Sequence, residues 1–403
     1  MKIHLITNLF APDELAGAAL YTDLALFLRE RGHEVRVTTT FSYYPAWRLR
    51  PGDQGCKRRD EVFHEIPVRR VAMRVPEKVT GVSRMISDFS FLLSLVRGAT
   101  FSDWTPDVVV TAEPMLSQAL AQRFLYRGAK IPRLIVVQDF VVDAALELSI
   151  LRVPGLAGIL HAMEKWALTS AATLVTISDL MAKKLTAKVR GVRPVRMIPN
   201  WIHGSLQSEI ERQNRTPLER AATTLFYSGN VGVKQGLPDF VNDFGRSNEG
   251  WSLKIHGGGA QAAQLREATA NVDSISLGGV LSEAGYVGEL RRATACLITQ
   301  RPGVGANFLP SKLLPALATG TPVLAVCEEC SPLGAEVLAG GFGAVIAGGD
   351  RERLRETLRA WAGNPAVLAE FGKRAAERAV LYQRERILAL YEAELRNLVQ
   401  PAR

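Results

Sequence analysis

The chain has 403 residues, 47% hydrophobic and 22% charged, which is material for two cores and excludes a disordered chain or one small domain. No apolar run approaches the roughly 20 residues that span a bilayer, and Met1-Lys2-Ile3-His4-Leu5 opens no secretory signal, so an intracellular protein is expected. Four cysteines argue for a reducing compartment over a disulfide scaffold, and a net charge of +9 suits anionic partners: nucleic acid, acidic lipid headgroups or diphosphates.

Ile3, Leu5 and Ile6 mark a first strand, residues 8–19 a glycine-bearing loop, and Leu24, Ala25 and Leu28 recur at helical spacing within 21–31. Gly32 ends that helix, since glycine takes the left-handed cap conformation without a Cβ penalty, and 33–38 is the next strand of one βαβ unit. Between Arg48 and Arg84 lies much of the basic excess, with Lys57, Arg58, Arg59, Arg69, Arg70, Arg74 and Lys78 beside five acidic residues. It reads either as an anion-attracting patch or as a mixed solvated surface. Strands over 68–73, 107–111, 133–137, 172–177 and 195–198 alternate with helices over 85–97, 115–126, 156–169 and 179–187. In the first of these helices Phe89, Phe91, Leu92, Leu93 and Leu95, near Arg84 and Arg97, read as a membrane-facing apolar side.

Residues 204–222, rich in Gln, Asn, Arg, Glu and Ser, read as a linker. Strands over 224–227, 252–256, 275–277, 295–299 and 322–326 then alternate with helices over 237–244, 260–269, 283–293 and 311–319, and helices over 351–361 and 365–399 close the chain. The expected fold class is α/β, two Rossmann-like doubly wound domains facing a cleft. The domains are 1–205 and 206–403, with the last helix a candidate for return to the first. Cys327 and Cys330 form a CxxC without a second ligand pair, so no metal site is expected.

Three segments carry candidate chemistry. In Ser228-Gly229-Asn230-Val231-Gly232-Val233-Lys234-Gln235-Gly236 a strand enters a glycine-rich turn, where backbone N–H groups can approach a phosphate and Lys234 adds a full charge; a merely tight turn is the alternative. It lacks the GK[ST] ending of a Walker A motif. In Leu309-Pro310-Ser311-Lys312-Leu313, Ser311 can cap the helix that Gly320 ends. Lys312 then sits in the first turn against the helix dipole, a cost that a bound anion would offset and that a solvated surface lysine would simply bear. His256-Gly257-Gly258-Gly259 ends another strand in glycines and suits close approach to a nucleotide, or a plain loop. Tyr43, Tyr44 and Trp47 lie in a proline-bearing loop, placed either to meet an acceptor or to pack in the core. Asp139 follows a strand, where side chains reach the carboxyl edge of a sheet; its alternatives are proton abstraction from an acceptor hydroxyl, orientation of sugar hydroxyls, and helix capping. Asp143 and Glu147 are weaker acidic candidates.

Taken in order, Ala11-Pro12-Asp13-Glu14-Leu15-Ala16-Gly17, Gly32-His33-Glu34-Val35, Tyr43-Tyr44-Pro45-Ala46-Trp47, Val137-Gln138-Asp139, Ile177-Ser178-Asp179, Ile198-Pro199-Asn200-Trp201, the Ser-Gly-Asn run ending Lys234-Gln235-Gly236, and Pro310-Ser311-Lys312-Leu313-Leu314 resemble the family 4 glycosyltransferases, within them the colanic-acid-type fucosyltransferases of bacterial exopolysaccharide assembly. The resemblance implies a GT-B fold and a retaining, metal-independent hexosyltransferase without a cofactor. Its donor would be a GDP- or UDP-linked sugar held by the C-terminal domain at Gly229, Asn230, Lys234, Gly257, Gly258, Gly259, Ser311, Lys312 and Leu313, with Gly17 facing the donor phosphates from the other domain. Its acceptor, a polyprenyl-diphosphate-linked glycan, would meet Glu14, Tyr43, Tyr44 and Trp47. Lys234, Lys312 and Asp139 are the implied catalytic set, and the implied place is the cytoplasm, with peripheral contact to the inner membrane. Two departures stand out: Asn230 replaces the usual arginine, and the spaced glutamate pair of many members is Asn307 and Pro315 here, which removes the usual ribose contact. A GT-B nucleotide-sugar 2-epimerase and, from another class, a basic nucleic-acid-binding or scaffold protein are the alternatives; no DxD, GxGxxG or nucleic-acid motif occurs.

Overall fold

The structure, a computed structural model, describes residues 1–13, 16–43, 47–78, 80–113, 116–126, 129–147, 156–215, 220 and 223–400. The chain divides into two compact units, Met1–Asn200 with Glu385–Arg403, and Trp201–Arg384.

The first unit is built on β1 (Lys2–Ile6), α1 (Ala16–Glu30), β2 (Glu34–Thr40), β3 (Arg58–Phe63), β4 (Ile66–Val71), α2 (Gly81–Gly98), β5 (Val108–Glu113) and α3 (Leu116–Ala121). It continues with β6 (Arg133–Val137), α4 (Val141–Glu147), α5 (Leu156–Leu168), β7 (Thr173–Thr176), α6 (Asp179–Lys188) and β8 (Val195–Met197). Its eight strands run in the order β3-β4-β2-β1-β5-β6-β7-β8, all parallel except the β3–β4 hairpin. β6 and β7 are buried after their first residue or throughout, as befits central strands of a parallel sheet covered on both faces.

Three features differ from the sequence expectation here. α1 begins at Ala16, so Gly17 lies in its first turn and not in a loop; a Cβ at Gly17 would meet only Leu9 Cδ1, at 3.8 Å, which is ordinary contact. The basic stretch contains an unforeseen edge hairpin. His64 and Glu65 both take positive φ, 46° and 64°, in its two-residue turn, a conformation usually signalled by Asn-Gly. Across that hairpin Arg69 pairs with Asp60 at 2.7 Å and Arg70 with Glu61 at 2.7 Å, so much of the local positive charge is neutralised on a charged edge that resists further strand pairing.

The second unit comprises α7 (Gly204–Asn214), β9 (Thr224–Ser228), α8 (Leu237–Gly245), β10 (Ser252–His256), α9 (Ala262–Thr269), β11 (Ile275–Gly278), α10 (Glu283–Arg292) and β12 (Ala295–Thr299). α11 (Leu313–Ala318), β13 (Val323–Val326), α12 (Pro332–Gly340), β14 (Gly343–Ile346), α13 (Arg351–Gly363) and α14 (Pro365–Ala379) complete it. Its six parallel strands run β11-β10-β9-β12-β13-β14. Residues 204–214, expected as linker, form α7; Leu206 and Ile210, one turn apart, are buried against Val287 and Leu290, and the hydrophilic remainder of the helix hid that narrow stripe. The unit boundary accordingly falls at Asn200 and Trp201.

The expected helix over 365–399 is broken. Gln383 is extended, with φ −62° and ψ 138°, and α15 (Arg384–Val399) follows. From Glu385 onward it belongs to the first unit, where Ile387, Leu388, Tyr391 and Leu395 are buried. Glu392, only 4% exposed, accepts from His33 at 3.0 Å, Arg31 at 3.0 Å and Arg396 at 2.6 Å. Burial would raise its carboxyl pKa, but those hydrogen bonds outweigh burial and hold it at about 2.

Candidate functional site

In the second unit the chain moves outward from β9 to β10 and β11, then returns to lay β12 on the other side of β9. This reversal between β9 and β12 is a topological switch point, where the loops beyond the strands' carboxyl ends part and leave room for a ligand. The loops there are residues 229–236 after β9, 257–261 after β10 and 300–312 after β12. All three glycine and lysine segments singled out in the sequence meet at this edge.

The glycines act differently from the expectation. The Gly229 N–H donates to His256 O at 2.9 Å, Val231 N–H to Gly258 O at 2.8 Å, and Gly232 N–H to Gln235 Oε1 at 3.1 Å. These amides are therefore spent on β10, on its loop and within the turn itself, and do not form an open phosphate cradle. Glycine is needed because the backbones touch: a Cβ on Gly257 would collide with the Gly229 carbonyl, and one on Gly259 with Asn230 Oδ1 and the Val231 carbonyl. Both sit at positive φ, 133° and 152°.

The cationic side chains carry the site's charge. Lys312 extends from the β12 loop to β9: a Cβ on Gly229 would stand 2.7 Å from its Cε and 3.0 Å from its Nζ, and Nζ lies 4.9 Å from the centre of the Tyr227 ring. Among the described residues no carboxylate pairs with it. Burial pushes its ammonium down to about 8, partly countered by Cys296. Lys234 places Nζ 5.0 Å from the ring centre of Phe308, which belongs to the same β12 loop. Arg301 N–H donates to Lys234 O at 2.8 Å, so the two loops dock at both ends, Lys234 on Arg301 and Gly229 on Lys312. Arg301, exposed, is a third cation on these loops, with no motif spacing around it to mark it. Lys234, Lys312, Gly229, Asn230 and the 257–259 glycines are brought together; Leu313 is buried behind them in the core.

Ser311 does not cap α11. The helix starts at Leu313, its N-cap position is Lys312 without a side-chain cap, and Ser311 is exposed. Pro315 is buried within the first turn of α11, where a missing N–H costs nothing, and it offers no carboxylate.

In the first unit the corresponding reversal lies between β1 and β5. Asp139 is half-buried just beyond β6. Next to it Gln138 and Asn200 exchange two amide hydrogen bonds, 2.7 and 2.9 Å, tying the loops after β6 and β8. Asp143, a weaker acidic candidate of the sequence, is 8% exposed and pairs with Lys184 at 2.7 Å and Lys188 at 2.8 Å. Its neighbours His161 and Glu164 complete a group with metal-like spacing, but Lys188 also pairs with Glu164, so the carboxylates are engaged by ammonium groups. Tyr43, expected at the acceptor, is 7% exposed and packs with Val71, Phe91 and Leu95 in the core, which is where its apolar ring is most stable. Trp47 is half-buried, its ring edge-on to Tyr43 at 5.5 Å. Glu14 and Tyr44 lie outside the described residues.

Two doubly wound units, the second with cations gathered at its switch point, have the architecture of the GT-B fold. Residues 17–201 match the glycosyl transferase 4-like domain. It is 27% identical over 360 residues to a protein described as the colanic acid biosynthesis glycosyl transferase WcaI of Escherichia coli K12, covering 83% of this chain and 85% of that one. Among solved structures it resembles sucrose-phosphate synthase from Thermosynechococcus elongatus, with TM-score 0.74, 16% identity and 99% of each chain covered. It also resembles Anabaena HepE in complex with UDP, with TM-score 0.64, 12% identity, and 98% of this chain and 99% of that one covered.

Proposed function

We propose that the chain moves a hexosyl group from a nucleoside diphosphate-sugar to a polyprenyl-diphosphate-linked glycan in bacterial exopolysaccharide or cell-surface polysaccharide assembly. The observation that carries this is the convergence of Lys312 and the Gly229 turn at the β9–β12 reversal, with Lys234 and Arg301 on the same pair of loops. A fixed cluster of cations on a rigid sheet edge stabilises the charge that develops on a departing diphosphate, where preorganised electrostatics has most effect. Lys312 replaces in space the charge that Asn230 lacks, since it reaches the backbone immediately before Asn230. UDP bound to HepE and the exopolysaccharide role of the WcaI relative support the donor class and the setting.

With lysine and arginine charge available, the reading is metal-independent transfer with retention, the donor phosphate taking the acceptor proton and Asp139 orienting sugar hydroxyls. The chain would work in the cytoplasm, in peripheral contact with the inner membrane; no helix among the described residues is long and apolar enough to cross it. A thermal-shift panel of UDP, GDP, ADP and their sugars tests the donor, because stabilisation grows with the logarithm of ligand excess. Lys312→Ala is expected to abolish the shift and lower kcat about a hundredfold, while chelator leaves turnover unchanged. Full activity in Lys312→Ala would remove the basis of the assignment.

A further inference from the structure

Cys327 and Cys330, the CxxC pair that the proposed function leaves unused, stand on the turn between β13 and α12. Cys327 directly follows the last residue of β13; it is 4% exposed and lies in the same core as Leu313, Leu333 and Val337. Cys330 is exposed and immediately precedes Ser331, whose Oγ accepts from the Gly334 N–H at 3.1 Å and caps α12. Thiols that respond to oxidants are solvent-accessible and stand next to a second cysteine that resolves the first oxidation product. Cys330 and Cys327 fill those two places. In a reducing compartment such pairs are transient and serve as sensors, not as scaffolds.

The residues between the two sulfurs hold the β12 loop. Glu328 Oε1 accepts from the Gly303 N–H at 2.9 Å, at a glycine whose φ is 86°. A Cβ on Gly305 would stand 3.0 Å from Ser331 Cβ and 3.2 Å from Glu328 Oε2, so the loop backbone lies directly on this turn. Arg301, Phe308 and Lys312 belong to that loop, and the Arg301 N–H fastens it to Lys234. From its other side the turn is braced by α12, where a Cβ on Gly334 would collide with the Glu328 and Glu329 carbonyls. The turn therefore cannot draw its ends together without carrying Glu328 along.

We propose that Cys327 and Cys330 are a redox modification site: exchange with a low-molecular-weight disulfide closes a bond between them, withdraws Glu328 from Gly303 and loosens the β12 loop. The Cys330 thiolate attacks one sulfur of the external disulfide and expels the other as a thiolate. Cys327 then loses its proton and attacks the Cys330 sulfur, expelling the second small thiolate. The two protein thiols are oxidised by two electrons, and the external disulfide takes up those electrons and the two protons as two thiols. The order follows from burial, which keeps Cys327 from the first attack and pushes its thiol up to about 11; a Ser331 hydrogen bond opposes that rise, and Glu328, Cys330 and Glu329 add to it. The new bond brings the buried and the exposed sulfur together across Glu328 and Glu329. Its effect on nucleotide binding rests on the proposed donor site; the bond and the release of the loop do not.

The full chain, equilibrated in reduced and in oxidised glutathione and then alkylated after denaturation, tests this by mass spectrometry. A Cys327–Cys330 bond is expected in the oxidised buffer, with Cys296 still alkylated and dithiothreitol restoring both thiols. Hydrogen exchange over residues 300–309 should quicken about tenfold on oxidation, the worth of one hydrogen bond to a carboxylate. The nucleotide-induced melting shift should then need about tenfold more ligand. Cys330→Ser should keep the slow exchange in both buffers, and Glu328→Ala should show the fast exchange without any oxidant. Absence of the bond, a glutathione adduct on Cys330 with Cys327 still alkylated, or a closed bond with unchanged exchange overturns the proposal. Exchange that quickens on oxidation when no nucleotide shifts the melting in either buffer supports the redox site and defeats the donor reading alone.

Discussion

At the scale of single residues, the proposed donor site turns on the protonation of Lys312. Its folded pKa of about 8 lies below the ordinary 10.5, so the folded chain favours the neutral amine, and this preference is lost as pH falls from 10.5 toward 8. A bound diphosphate reverses the preference by favouring the ammonium. Nucleoside diphosphate affinity is therefore expected to weaken about tenfold per pH unit above 8, and Lys312→Met should flatten that dependence in calorimetric titrations. The lysines were legible because each stands beside a glycine turn or a helix start, positions where a charge needs an explanation. Arg301 was not, since an arginine shortly after a buried strand looks like any surface residue until the fold lays its backbone on Lys234. Tyr43 misled for the opposite reason: an aromatic in a proline-bearing loop has the composition of a binding residue, and only tertiary packing assigns it to the core.

At the scale of elements, the loops after β9 and β10 are one construction, since the backbone of the first leaves no room for a side chain at two positions of the second. Gly257→Ala puts a methyl into the Gly229 carbonyl, a backbone atom that no rotamer change can move aside. A loss of about 2–4 kcal/mol is expected, read as a lower urea midpoint, together with a nucleotide affinity reduced about tenfold or more. Gly258→Ala is the control, because a Cβ there meets nothing within 4 Å and its φ is not positive. The alternating strands and helices were readable from their periodicity. The β3–β4 hairpin was not, because His64-Glu65 lacks the glycine that announces such a turn. The two apolar residues of α7 were too few to stand out, and the break at Gln383 has neither glycine nor proline to mark it. It is fixed instead by tertiary bonds: Tyr382 O accepts from Ile202 N–H at 3.0 Å, and its hydroxyl donates to Glu336 at 2.5 Å.

At the scale of the molecule, Trp201–Arg384 is an uninterrupted unit, while the other is assembled from two stretches of chain. Ile387, Leu388, Tyr391 and Leu395 of α15 are fully or almost fully buried in it. At about 1.5–3 kcal/mol each they contribute of order 6–12 kcal/mol as an upper figure, comparable with the net stability of a whole domain. Residues 201–384 are expected to melt cooperatively alone, whereas residues 1–200 should bind a hydrophobic dye until a peptide of residues 385–403 is added. A sharp melt of 1–200 without that peptide would contradict the assignment. The order of synthesis then runs against the order of completion. On the ribosome the sheet of residues 1–200 emerges before the middle of the chain yet waits with an unfilled groove for α15, which is made after it, while the middle can finish folding in between. A stop codon just before α15 would thus damage the unit translated earlier and spare the one translated after it.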